Sequence, residues 1–131
     1  MKKIFPILII IFLCSCSPRT IVPLTDQQVD ALETPEAIQL WKKSQENTDG
    51  CSSPSLIHWY ATTFMPAYQW DVCCLEHDGL YGYGYKFGIT KDQADYDLWS
   101  CVVDSGHPFV ANVIYDGVWI GGGKYFQTGE K

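Results

Sequence analysis

The sequence predicts a small, mainly α-helical domain held together by disulfides, and three observations predict it. Apolar and cysteine positions recur at helical spacing in successive stretches of the 131-residue chain. Capping residues open those stretches, and glycine or proline clusters close them. Beyond the N-terminal segment there are four cysteines, Cys51, Cys73, Cys74 and Cys101. An even number in an exported chain implies two disulfides.

The elements follow in order. Thr34, Pro35 and Glu36 supply an N-cap, a first-position proline and a first-turn acid, so a helix should run to about Glu46 and stop at residues 47–50. Residues 51–69 show no sustained periodicity and read as a long ordered loop, of the kind that usually serves function. Positions 70, 73, 74, 77 and 81 share one helical stripe from about Trp70 to Tyr83, closed by the glycine-rich run to Gly88. Thr90 caps a helix to about Asp104 whose stripe holds Ala94, Leu98, Cys101 and Val102. A last helix spans about Pro108 to Ile120, apolar at Phe109, Val110, Val113, Ile114 and Trp119, with glycines 121–123 as its stop.

The N-terminus begins with Lys2 and Lys3 and continues as an apolar run from Ile4 to Leu13, too short to span a bilayer. It reads as a signal peptide over residues 1–15. Leu13 stands three residues before Cys16 and the small Ser15 directly before it, which resembles a bacterial lipobox. That resemblance implies lipidation at Cys16, and Ser17 after it resembles the sorting pattern of outer-membrane lipoproteins. Residues 16–33, mixed and polar, are expected to form a tether with little structure, and residues 34–131 the folded domain. Removal of residues 1–15 leaves 116 residues, room for one domain. Seven Lys and Arg then face fifteen Asp and Glu, a net charge of −8 that argues against a nucleic-acid partner.

Chemistry concentrates between Asp71 and Asp78. On a helix, Cys73, His77 and Tyr81 stack at i, i+4 and i+8, so one face carries a staple, a base and a phenol. Adjacent Cys73 and Cys74 do not readily pair with each other, and each reaches for Cys51 or Cys101. If the next helix runs antiparallel and Cys73 bonds Cys101, a rise of about 1.5 Å per residue puts His77 about 6 Å and Asp95 about 9 Å above the staple. His77 and Asp95 would then form a base with its orienting carboxylate, and Tyr81 would donate to Asp95.

The spacing Cys73, Cys74, His77, Asp78, Tyr81 resembles the active-site helix of secreted phospholipases A2, whose pattern is C-C-x-x-H-D-x-C-Y. Many members place a further cysteine where Leu80 stands here and its partner where Ala94 stands, so both halves of that bridge are missing together. The resemblance covers about Asp49 to Cys101. It implies a phospholipase A2-like fold with two antiparallel active-site helices and a calcium loop, and disulfides Cys51–Cys74 and Cys73–Cys101. The segment around Asp49, Gly50 and Cys51 is similar to the calcium loop of the bacterial and fungal branch, so Asp49, Gly50 and Asp78 are the implied calcium ligands. The glycine-rich loop of animal members is absent. The implied activity is calcium-dependent hydrolysis of the sn-2 ester of phospholipids by a lipid-anchored monomer of the cell envelope at the outer membrane, with His77, Asp95 and Tyr81 catalytic.

The bland readings are concrete. A noncatalytic envelope lipoprotein could keep the same scaffold as a binding or structural module, with His77 sealed from solvent. His58 and His107 lack acidic or cysteine company and read as structural or surface residues. Asp92 reads as a first-turn helix acid and not as a rival to Asp95.

Overall fold

The computed structural model describes residues 21–46 and 71–129. These residues are mainly helical, with no strand among them. The elements are α1 (Asp26–Leu32), α2 (Pro35–Gln45), α3 (Asp71–Tyr83), α4 (Lys91–Asp104) and α5 (Pro108–Gly121), with short 3-10 turns at Gly84–Phe87 and Gly122–Lys124. None of these helices is long and apolar enough to cross a membrane. The expected signal segment, the expected lipidation position Cys16, the expected loop 51–69 and the residues Asp49, Gly50 and Cys51 lie outside the described residues.

Four helices start and stop close to the expected positions, two of them, α2 and α4, behind a threonine cap. Thr34 accepts from the Ala37 amide at the head of α2, and Pro35 follows at a position where its missing N–H costs nothing. Thr90 and Gln93 form a reciprocal capping box at the head of α4. After α3 the 3-10 turn ends at Gly88, whose φ of 70° places it in the left-handed region, and the Ile89 amide returns to the Gly84 carbonyl. That turn reverses the chain between α3 and α4.

The reversal makes α3 and α4 antiparallel. Cys73, near the start of α3, is bonded to Cys101, near the end of α4, with Cα atoms 5.7 Å apart. Further along, His77 meets Asp95, and Lys91 lies over the Tyr81 ring. The pairs close inward along both helices, as an antiparallel register requires. Below the dyad, Cys73, Cys74, Leu98, Val102, Val110 and Ala111 form one apolar cluster, and Leu80, Tyr81, Ile89 and Ala94 form a second on its other side.

One expectation needs correction, and one helix buries a face its apolar residues do not announce. The tether was expected to be unstructured to residue 33, yet residues 26–32 form α1, opened by a capping box in which Thr25 and Gln28 bond each other's backbone amides. Leu24 and Leu32 pack against the second apolar cluster, and the Gln28 and Gln93 amides bond each other at 2.8 and 3.0 Å. The body therefore begins near Leu24. Short helices with few apolar residues carry no periodic signal, and it is docking that stabilises this one. In α5 the inward face is Val110, Ala111, Ile114, Tyr115 and Val118, while Phe109 is 73% and Trp119 45% exposed. Small Ala111 lets α5 lie close to α4, so the two large aromatics fall on the outer side.

Docking of α1 gives a test. Deleting residues 1–33 should lower unfolding stability by at least about 2 kcal/mol relative to deleting residues 1–20, because it uncovers leucine contacts and strips the buried Gln93 amide of its partner. Denaturant melts of the two truncations with disulfides intact measure the difference, and equal midpoints would return α1 to the role of a passive tether.

Candidate active site

Helical periodicity on α3 aligns three side chains. Cys73, His77 and Tyr81 are all buried, and the His77 and Tyr81 rings lie 4.0 Å apart between centroids. From α4, Asp95 enters between them and is only 1% exposed. Its Oδ1 accepts from the Tyr81 hydroxyl at 2.6 Å and lies 2.9 Å from Nε2 of His77. Its Oδ2 accepts from the ammonium of Lys91, one turn earlier on α4. The same ammonium donates to the Val118 carbonyl at 3.1 Å, in the last turn of α5.

A buried carboxylate survives only when donors meet it. Burial pushes the Asp95 carboxyl up, but hydrogen bonds from His77, Lys91 and Tyr81 and the charge of Lys91 outweigh it, and the group is held below the usual carboxylate range. An ionised carboxylate can only accept, so Nε2 of His77 carries the proton in this pair and Nδ1 holds the lone pair. Tyr81 titrates far above an ordinary phenol, first through burial, then through its bond to Asp95 and the charges of Asp95, Asp92 and Asp78. It stays a donor at any physiological pH.

His77 is 6% exposed. Its Nδ1 makes no hydrogen bond to a described residue. This arrangement can accept a proton at Nδ1 while the far side of the ring is held in one tautomer.

The C-terminal segment completes the enclosure. Phe126 meets the Tyr81 ring edge-on at 5.4 Å, and the Gln127 amide donates to the Tyr81 carbonyl at 2.9 Å. Gly122 is buried directly against the phenol, and a Cβ there would overlap the Tyr81 hydroxyl. The expected helix stop thus also leaves room for the Tyr81–Asp95 bond.

Among the residues singled out in the sequence, His77, Tyr81 and Asp95 come together as spaced. Asp92 is an exposed first-turn acid of α4, as read. Cys74 is disulfide-bonded, and its expected partner Cys51 lies outside the described residues. Asp78 follows His77 on α3 and is partly buried, while Asp49 and Gly50 are not described. No three His, Cys, Asp or Glu side chains among the described residues converge as a metal site. Lys91 is not among the residues the sequence singles out. Its i, i+4 spacing to Asp95 was the available signal.

Two outcomes test this geometry. Gly122→Ala should displace the Tyr81 phenol and weaken its bond to Asp95, which the Tyr81 ring resonances in an NMR spectrum would report as a local shift with the helices intact. The second concerns acid. Because the folded-state carboxyl of Asp95 is depressed below its unfolded value of about 3.9, its contribution is present above that pH and lost as pH falls through the folded value. Asp97, which burial pushes up against the favourable charge of His77, contributes with the opposite sign. Denaturation midpoints measured from pH 6 to pH 2 should therefore fall less steeply in Asp95→Asn than in the parent chain, and parallel curves would contradict the assignment.

No protein-family model, curated protein or solved structure matches this chain.

Proposed function

We propose that this chain is a phospholipase A2-like hydrolase that cleaves the sn-2 ester of glycerophospholipids, releasing fatty acid and lysophospholipid. One observation carries the reading: across an antiparallel helix pair stapled by Cys73–Cys101, the His77 imidazole and the Tyr81 hydroxyl share one oxygen of a buried aspartate. The cysteine, histidine and tyrosine spacing on α3 supports a phospholipase A2-like arrangement of that pair.

His77 does the proton work. Nδ1 takes a proton from a water as the water attacks the ester carbonyl, and the imidazolium then returns it to the departing alkoxide. Asp95 keeps Nε2 protonated and steadies the imidazolium as it forms. Water is the proposed nucleophile, so no covalent acyl-enzyme is needed.

Calcium belongs to the proposal on donor chemistry alone. The Asp78 carboxylate is a suitable hard ligand, but one carboxylate does not make a calcium site, and the rest of the shell would come from Asp49 and Gly50. When bound, the ion would polarise the ester carbonyl and stabilise the developing oxyanion. A lipid at Cys16 would hold the monomer at a bacterial envelope membrane, where the phospholipid substrate lies.

The noncatalytic alternative is favoured by one observation, the 6% exposure of His77, which leaves the base little room. Fatty-acid release from phosphatidylcholine and phosphatidylglycerol vesicles, with calcium on the order of 1 mM and with a chelator, separates the two. The hydrolase reading expects release that the chelator removes, that His77→Gln abolishes and that Asp95→Asn lowers by at least about 100-fold. Absence of release from the pure, folded, calcium-loaded chain would leave the scaffold as a binding module.

A further inference from the structure

We propose that Lys91 is a positioning residue for the His77–Asp95 pair, pinning the second carboxylate oxygen of Asp95 against the end of α5 and so fixing the direction in which the first oxygen meets the imidazole. Its catalytic consequence rests on the hydrolase reading above; the positioning itself does not.

A carboxylate turns easily about its last side-chain bond, because that torsion is broad and roughly two-fold. His77 and Tyr81 both engage Oδ1, which leaves rotation about that oxygen open. Lys91 closes it. The ammonium takes Oδ2, and it is held in turn by the Val118 carbonyl at 3.1 Å. That carbonyl, which also accepts the Gly122 amide, lies in the last turn of α5, where the negative end of the helix dipole favours a cation.

An exposed Lys–Asp pair at i, i+4 contributes little, since water screens it and the long side chain loses freedom. This pair differs in its surroundings. The Asp95 side chain is 1% and the Lys91 side chain 22% exposed. Lys91 also stands over the Tyr81 ring, 5.9 Å from its centroid. It therefore joins three elements, reaching the phenol of α3, the acid of its own helix and the carbonyl end of α5. An ammonium has three donors, and two are used here, so the third remains for solvent on the exposed side.

The geometry distinguishes positioning from bracing. If Lys91 only held α5 to α4, its bond to Val118 would suffice and Asp95 would keep its orientation without it. If Lys91 orients the carboxylate, removing its charge lets the carboxylate turn while the helices stay packed.

Two variants and two measurements decide. Lys91→Met keeps the apolar stem without the charge, and Lys91→Arg keeps a charge. Vesicle hydrolysis gives kcat and KM, and proton NMR gives the imidazole Nε2–H resonance of His77, identified among the three histidines by its loss in His77→Gln. Lys91→Met should lower kcat by on the order of 10- to 100-fold with KM unchanged and should shift the imidazole resonance, and Lys91→Arg should restore part of both. An unshifted resonance in folded Lys91→Met, with or without a loss of stability, overturns the proposal and makes Lys91 a brace alone. If the parent chain hydrolyses no lipid, the hydrolase reading fails while the resonance still decides the role of Lys91.

Discussion

The buried carboxylate of Asp95 is the constraint on which the rest of the structure depends. A lone charge in that position would cost several kcal/mol even after relaxation. It is met instead by three donors, two from α3 and one from its own helix. One of those donors is itself held by α5. The acid is thus satisfied only when α3, α4 and α5 are all in place, so assembling the fold and assembling the candidate site are the same event.

The helix carrying that acid is secured at both ends by different means. Toward its C-terminal end the Cys73–Cys101 bridge fixes the register with α3, four residues from His77 on one helix and six from Asp95 on the other. At its N-terminal end, Gln93 closes the capping box of α4 and reaches the matching glutamine in the capping box of α1. Both amides sit at the third position of their helices, so each caps its own backbone with its oxygen and bonds its neighbour across the gap. Between covalent staple and amide pair, Asp95 has little freedom to slide.

The legible features were the regular ones. The stripe Cys73, His77, Tyr81 announced itself because 3.6-residue periodicity is local, and Asp95 followed from helix rise once an antiparallel partner was assumed. The caps at Thr34 and Thr90 marked helix starts because hydroxyl-to-amide bonds depend only on nearby residues. What escaped was decided by contacts distant in sequence. Lys91 gains its role from the end of α5, distant in sequence, and α1 is too short to be periodic and owes its order to Leu24 and Leu32. The inward face of α5 does not follow from which of its residues are apolar, because close approach to α4 selects Ala111 and leaves Phe109 outside. The calcium ligands Asp49 and Gly50 fall in a segment beyond the described residues, so the metal half of the resemblance gains nothing from the geometry.

The division of labour within the site follows from how the donors are distributed. Because three of them hold the Asp95 charge, and together outweigh its burial, the carboxyl is a weaker base than an ordinary aspartate. It is therefore suited to orient and not to accept a proton. The phenol, pushed far upward, only donates. That leaves the imidazole as the proton carrier of the proposed reaction, and its Nδ1, the nitrogen not bonded to Asp95, as the atom where the proton would move. A base whose residue is only 6% exposed is reached most easily by something as small as water. Burial of the dyad and the choice of water as the proposed nucleophile are in this sense one property of the packing.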